Sequence, residues 1–250
     1  VTIPRFYHPQ SMEPGHVVSL PHDSLHYARR VLRMRVGERL DLIDGQGTQY
    51  EGRISSISST DIFVEIMAKN FPEDSSVSVT LCQALVKGDK MDFIIQRSVE
   101  LGVTRFIPFS SSRTIIHLTP AAAAAKVKRW QKIAAESARQ CGRAIVPVVS
   151  PVLSYEEMLK QGGEQAPKVI FWEGERDRTM GRLFREGEND SQEYFFVVGP
   201  EGGFSGDEIA QADHEGFLSV TIGKRILKVE TAVLSILTIL QYEKGIFHAD

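Results

Sequence analysis

Gly199, Gly202 and Gly203 lie in the run Val198-Gly199-Pro200-Glu201-Gly202-Gly203-Phe204-Ser205. Gly223 opens a second run, Ile222-Gly223-Lys224-Arg225-Ile226-Leu227-Lys228-Val229-Glu230-Thr231-Ala232. Both runs combine glycine, which lets backbone approach a ligand closely, with carboxylate and cationic side chains. Each follows a short apolar run that reads as a buried strand, Tyr194 to Val198 and Leu218 to Ile222, and each leads into a helical pattern. Turns at strand C-termini are where open α/β sheets hold their ligands. Ser205 with Glu208 makes a capping box that fixes where the helix after the first turn begins. Neither run is a phosphate cradle of the usual kind. The Gly-Lys-Ser/Thr ending of a P-loop is missing, and Gly199-Pro200-Glu201-Gly202-Gly203 does not fit G-x-G-x-x-G. The pattern points to a small ligand held by backbone groups of two adjacent turns.

Other chemistries find little support. His22 and His26 are four apart, but the catalytic glutamate of H-E-x-x-H is absent and no third ligand accompanies them, so they read as a surface pair and no metal is expected. No Ser-His-Asp array is present. Cys82 sits in an apolar strand-like run and Cys141 at a helix end. Two cysteines give no disulfide framework, and both read as buried thiols of a cytoplasmic protein. No run of eighteen or more apolar residues suggests a membrane span. Pro4, Arg5, His8 and Pro9 interrupt any signal-peptide hydrophobic region.

The elements that must position the two turns follow from patterning. The 250 residues, 42% hydrophobic, can bury one large or two modest cores. Residues 1–72 read as short strands with turn signals between them: Val17 to Leu20, Arg39 to Ile43, Thr48 to Ile57 and Asp61 to Met67. Leu25 to Met34 is the one helical piece, and a small, partly open β-barrel is expected. Phe71 to Ser76 reads as a linker. From Val77 strands alternate with helices, the signature of a parallel sheet with crossovers. Val77 to Val86, Arg105 to Phe109 and Lys168 to Trp172 are strands. Gly88-Asp89 opens a helix that Gly102 closes, and Thr119-Pro120 starts another. In that helix Trp130, Ile133, Ala134, Ser137, Ala138 and Cys141 share one face. Ser154 with Glu157 caps a short helix. The last helix, Glu230 to about Tyr242, is apolar almost all round, which predicts burial in the core or against a second subunit.

Net charge is −3, but its distribution is uneven. Residues 1–150 hold 19 Lys and Arg against 14 Asp and Glu, whereas residues 151–250 hold 10 against 18. Four arginines, Arg29, Arg30, Arg33 and Arg35, fall within seven residues, and Arg39 follows. Such asymmetry fits a basic half that faces a polyanion and an acidic half with other work. Phe6, Tyr7 and Tyr27 lie near these arginines in sequence and could stack on flipped bases.

The two glycine-containing runs resemble the second and third motifs of the SPOUT superfamily of trefoil-knotted, S-adenosylmethionine-dependent RNA methyltransferases. More narrowly, the chain resembles the bacterial 16S ribosomal RNA uracil-N3 methyltransferases. Ile3-Pro4-Arg5-Phe6-Tyr7, Arg30 to Arg35, Lys90-Met91 through Leu101-Gly102-Val103, and Gln140-Cys141-Gly142-Arg143 also match that family, in order, along nearly the whole chain. The resemblance implies an α/β protein with a PUA-like β-barrel that binds RNA over residues 1–72 and a SPOUT domain, with a parallel sheet and a trefoil knot, over 73–250. It implies a cytoplasmic homodimer that uses S-adenosylmethionine to methylate N3 of a uridine in 16S ribosomal RNA or the small ribosomal subunit, with no metal and no membrane.

The residues carried over from the resemblance are Gly199, Glu201, Gly202, Gly203, Ile222, Gly223, Ile226 and Leu227 for the cofactor. Arg5, Arg29, Arg30, Arg33, Arg35, Arg97, Arg143 and Lys228 are assigned to RNA. The implied chemistry is in-line attack of a base nitrogen on the methyl of a sulfonium, which needs alignment and an anionic uracil imide. Arg225, mid-motif, is the first choice for the cation that stabilises that anion, with Lys228 second; the family usually has arginine at the latter position. Glu201 is either a base or an orienting group, and Glu230 reads as a charge that stabilises a helix N-terminus. Phe204 is pocket wall or core. Two other readings stand beside this one: a SPOUT enzyme acting elsewhere, such as a ribose 2′-hydroxyl of transfer RNA, and a non-catalytic ribosome-assembly protein with a vestigial pocket.

Overall fold

The structure is a computed structural model and describes residues 3–72, 77–163, 166–185 and 191–245. Contacts divide the chain into two units: Val1–Asp74 with Ala135–Val146, and Ser75–Ala134 with Pro147–Asp250. The expected linker at Phe71 to Ser76 falls largely outside the described residues.

The first unit is built on a five-stranded mixed sheet of β1 (Arg5–Tyr7), β2 (Val17–Ser19), β3 (Arg39–Ile43), β4 (Gln49–Ile57) and β5 (Ile62–Asn70), in the order β1-β3-β4-β5-β2. Only β1 and β3 run parallel; the other pairs are antiparallel. No pairing among the described residues joins β1 to β2, so the sheet is an open half-barrel and not a closed one. Alternation along β4 and β5 turns Tyr50, Ile54, Val64 and Ile66 inward onto Phe6 and Leu25. Phe6 is therefore core, whereas Tyr27 is part-exposed, edge-on to Phe6, with the Arg139 guanidinium 5.1 Å from its ring centre.

The helical piece expected from Leu25 is two short segments. α1 (His22–His26) runs into a π-helical turn over Tyr27–Val31, where the Leu32 N–H reaches back to the Tyr27 carbonyl. Arg33 then takes a left-handed conformation, φ 53°, which is costly for a residue with a side chain. The turn leaves Arg30, Arg33 and Arg35 exposed, while Arg29 is half-buried.

The second unit carries β6 (Ser78–Ala84), β7 (Val103–Ser110), β8 (Val148–Val149), β9 (Leu153–Ser154), β10 (Lys168–Phe171), β11 (Glu193–Val198) and β12 (Leu218–Val220). The sheet is wholly parallel in the order β12-β10-β11-β6-β7-β8, with β9 also on β7. Its helices are α2 (Lys90–Glu100), α4 (Tyr155–Leu159), α5 (Met180–Arg185), α6 (Gly206–His214) and α7 (Val229–Glu243), with the first part of α3 (Pro120–Cys141). Cys82, Ile107, Phe109, Phe195 and Val197 on the sheet pack against Tyr155, Met158 and Phe204. Both capping boxes expected from sequence form, Ser154 with Glu157 and Ser205 with Glu208.

Two sequence expectations need correction. Cys82 is buried, but Cys141 is exposed, because it closes α3 where the helix runs out. The last helix has a wet side: Val233, Ile236, Leu237 and Leu240 face the core, Leu234 and Ile239 are only half-covered, and Thr231, Thr238 and Tyr242 are exposed. Gln241 on its inner face donates to the Leu101 carbonyl (2.8 Å) and so caps α2.

Candidate active site

The turns after β11 and β12 face one cavity of about 800 Å³. They are not neighbours in the sheet, because β10 lies between their strands. The loop after β10, with Trp172, Glu173, Gly174 and Arg176, therefore forms a third wall that the sequence reading did not assign. Its cue was faint: a tryptophan and a glycine at the end of an apolar run. A Cβ at Gly174 would lie 2.2 Å from the Trp172 ring, so glycine is what lets that ring fold over the backbone.

The loop is held by Glu175. One carboxylate oxygen accepts the N–H groups of Arg176, Asp177 and Arg178 (2.8, 2.9 and 3.2 Å), and the other accepts the Ser219 hydroxyl on β12 (2.7 Å). The Asp177 N–H and the Ser219 hydroxyl do most to hold the Glu175 pKa down at about 2.

The turn after β11 closes through the Gly203 N–H on the Pro200 carbonyl (3.0 Å), and Gly203 has φ +66°, a conformation that favours glycine. Three side chains from outside both motifs fix this turn. Gln83 Nε2 donates to the Gly199 carbonyl (3.2 Å) and Arg113 Nη1 to the Gly202 carbonyl (2.8 Å). Lys90 Nζ donates to Glu201 (2.9 Å), with the Lys87 N–H on the same oxygen (3.2 Å). Partial burial pushes the Glu201 carboxyl up, but the Lys90 hydrogen bond and the N–H groups of Glu201 and Lys87 outweigh it and hold its pKa below the ordinary value. The same hydrogen bond raises Lys90. A carboxylate so engaged is a poor proton acceptor and a good brace for its turn.

Beyond β12, Thr221 Oγ1 and the Gly223 backbone bond each other (3.2 and 3.3 Å), and Gly223 has φ +136°. Lys224, Arg225 and Ile226 then project outward; Ile226 is 87% exposed. Arg225 has no hydrogen-bond or ion-pair partner among the described residues. Glu230, in the first turn of α7, also lines the cavity, and its Oε2 is buried with no hydrogen-bond partner among the described residues.

All the cofactor residues named from sequence, with Arg225 and Lys228, line this one cavity. Phe204 is both wall and core, stacked parallel to Phe109 with ring centres 6.5 Å apart. The arginines assigned to RNA are not gathered there. Arg5 donates to Gln49 (3.2 Å), and Arg97 pairs with Glu100 (2.8 Å). Arg143 is half-buried. Arg29 donates to the carbonyls of Ser58, Ser59 and Asp61 and so ties down the β4–β5 turn. No group of three or more metal-binding side chains is found among the described residues, and no described helix is long and apolar enough to cross a membrane.

The cavity offers a ligand three kinds of contact: apolar wall from Phe171, Trp172, Ile222 and Leu227, backbone groups of the glycine turns, and charged side chains of both signs, with Glu173, Glu201 and Glu230 beside Lys90, Arg176, Lys224, Arg225 and Lys228.

Comparison with known proteins agrees with this reading. A family model described as an RNA methyltransferase domain matches residues 73–241, and one described as an RNA methyltransferase PUA domain matches residues 20–67. The chain is 30% identical to ribosomal RNA small subunit methyltransferase E of Buchnera aphidicola (subsp. Schizaphis graminum), over 97% of each chain. It is similar to the crystal structure of ribosomal RNA small subunit methyltransferase E from Neisseria gonorrhoeae bound to S-adenosyl methionine, at 36% identity and TM-score 0.88. That match covers 96% of this chain and 98% of the other. A Legionella pneumophila methyltransferase solved with bound SAM has TM-score 0.88 at 29% identity, covering 97% of this chain and 98% of that one. With the family model spanning both glycine turns and the third wall, the chain belongs to the ribosomal RNA small subunit methyltransferase E family of RNA methyltransferases.

Proposed function

We propose that the protein transfers a methyl group from S-adenosylmethionine to N3 of a uridine in 16S ribosomal RNA. The observation that carries this reading is the single cavity walled by Gly199–Gly203, Trp172–Arg176 and Ile222–Glu230, in a chain whose similar structures hold that cofactor. S-adenosylmethionine bound there supplies an electrophilic methyl on a sulfonium. The glycine turns and Trp172 hold and orient it, and Glu173 and Glu230 offer carboxylates to its positive charge. Glu201, braced by Lys90, keeps its turn in place. Arg225, unpartnered at the mouth, stabilises the uracil anion as its N3 attacks. Lys228 is a second cation near the same edge.

Residues 1–72 grip the RNA and residues 73–250 carry out transfer, in the cytoplasm. Exposed Arg30, Arg33 and Arg35 supply phosphate contacts, whereas Arg29 supports the domain. The chain around the cavity follows the trefoil knot of SPOUT proteins, and two copies pair through the half-covered side of α7 at Leu234 and Ile239. Light scattering that returns the mass of one chain at micromolar concentration would overturn the dimer.

The cofactor reading is tested by calorimetry in the presence of a chelator. The expected result is binding heat with S-adenosylmethionine and with its demethylated product, unaffected by the chelator. Absence of heat and of competition with either would overturn it.

A further inference from the structure

The outer face of the N-terminal sheet carries a cavity of about 340 Å³ lined by Arg39, Asp41, Gln49, Arg53, Met67 and Ile3, among others. Three features of this face are not needed by the fold. Arg39 on β3 stands directly opposite Arg53 on β4. Side chains at such positions share a face, with Cβ atoms about 5 Å apart, and like charges there repel. Both arginines are exposed, and neither has a hydrogen-bond or ion-pair partner among the described residues. The nearby carboxylates make no ion pair with either arginine: Glu51 accepts from Asn70 (3.0 Å), Asp41 accepts from Gln49 (3.0 Å) with Arg5 at 3.8 Å, and Glu65, across from Arg53 on β5, offsets part of the repulsion without reaching ion-pair distance.

The second feature is a β-bulge. Glu51 pairs with Ala68 and Gly52 with Ile66, so Met67 is the extra residue, and it is 49% exposed at the cavity edge. Met67 faces outward in step with the alternation of β5, and the bulge leaves it without a cross-strand partner on β4. The third feature is Ile3, 47% exposed, which adds a second apolar side chain to the same rim.

We infer that this face is an RNA contact in its own right, with Arg39 and Arg53 sharing a backbone phosphate of a single strand and Met67 and Ile3 taking the flat face of an adjoining base. A phosphodiester removes the repulsion between the two guanidinium groups and accepts hydrogen bonds from both. Apolar contact to a base is tolerant of sequence, so this face contributes affinity and register while the choice of uridine is made elsewhere. The inference rests on the RNA substrate proposed above. It adds a surface separate in sequence from Arg30, Arg33 and Arg35, made by strands and not by the π-helical turn.

The test is RNA binding by the full chain to a 16S ribosomal RNA transcript across a salt series. Wild type should bind with a steep log–log salt slope. Arg39→Ala with Arg53→Ala should weaken binding by ten-fold or more at low salt. It should also flatten the slope by about 0.7, the contribution of the one single-strand phosphate that the two arginines share. Arg39→Lys with Arg53→Lys should keep the slope. Met67→Ala should lose a few-fold in affinity at an unchanged slope, as an apolar contact does. Calorimetric affinity for S-adenosylmethionine and the melting temperature should stay at wild-type values throughout. A double alanine variant with wild-type affinity and slope overturns the inference. So does a variant that binds RNA normally but changes its mass by light scattering, since the face would then join copies of the chain. If wild type binds no RNA, the substrate reading itself fails and takes this surface with it.

Discussion

Replacing Arg225 with alanine is expected to lower the single-turnover methylation rate by roughly 100-fold or more, about 3 kcal/mol, as loss of one donor to a developing anion does. The structure sharpens what should not change. Arg225 is exposed and makes no hydrogen bond or ion pair with the described chain, so its removal breaks no internal contact. The melting temperature and the affinity for S-adenosylmethionine should therefore stay close to wild type. Raising pH should restore part of the rate, because solvent then supplies more of the deprotonated uracil that the guanidinium otherwise stabilises. Arg225→Lys should retain part of the activity through its charge. Normal turnover by the alanine variant would remove Arg225 from the mechanism. A large drop in melting temperature would make it a structural residue instead.

Phe204→Ala tests whether the turn after β11 stands on the core. Phe204 is 2% exposed, stacks on Phe109, and lies 6.0 Å from the Tyr155 ring. A Cβ added at Gly199 would meet its ring at 3.1 Å, which shows how closely turn and ring are fitted. Truncation of a buried phenylalanine costs about 3–5 kcal/mol, on the order of 10 °C in the melting of this unit. Cofactor affinity should fall as well, because the cavity loses a wall and the turn its support. A melting temperature within about 2 °C of wild type would show that the turn is carried by Gln83, Lys90 and Arg113 alone.

These outcomes depend on residues that the sequence revealed to different degrees. The two glycine turns, the capping boxes and the strand–helix alternation from Val77 are local signals, carried by residues within a few positions of one another, and the structure has them where they were expected. The wall from Trp172 to Arg176 was hidden because strand order is a long-range property: nothing within Lys168 to Phe171 says that β10 will lie between β11 and β12. Gln83, Lys90 and Arg113 were hidden for the same reason, since each reaches a turn about a hundred residues away in the chain. β1 was missed because Arg5–Tyr7 is only three residues long and gains its definition from pairing with β3. Arg29 shows the limit of reading charge from spacing. It belongs to the densest run of arginines, yet its guanidinium serves three backbone carbonyls of a distant turn.

The roles given to Glu201 and Glu230 also changed in weight once side chains were placed. Residue type alone left Glu201 open as a base or an orienting group, and Glu230 read as a charge at a helix N-terminus. Glu201 is held by Lys90 and two N–H groups with a lowered pKa, which favours the orienting role over the base. Glu230 faces the same cavity with one oxygen that has no donor among the described residues. Stabilisation of the uracil anion by a cation, with the proton passing to solvent, is consistent with this arrangement and agrees with the pH rescue expected for Arg225→Ala.

Transfer of a methyl group to uridine N3 in 16S ribosomal RNA can be followed by incubating the purified protein with S-adenosylmethionine carrying a labelled methyl group and with small ribosomal subunits or 16S RNA from cells lacking the gene. The RNA is then digested to nucleosides for mass analysis. The expected product is labelled 3-methyluridine from a single position, absent when Arg225→Ala replaces wild type over the same time. Label recovered only as a ribose-methylated nucleoside, or no label in either RNA or subunits, would contradict it.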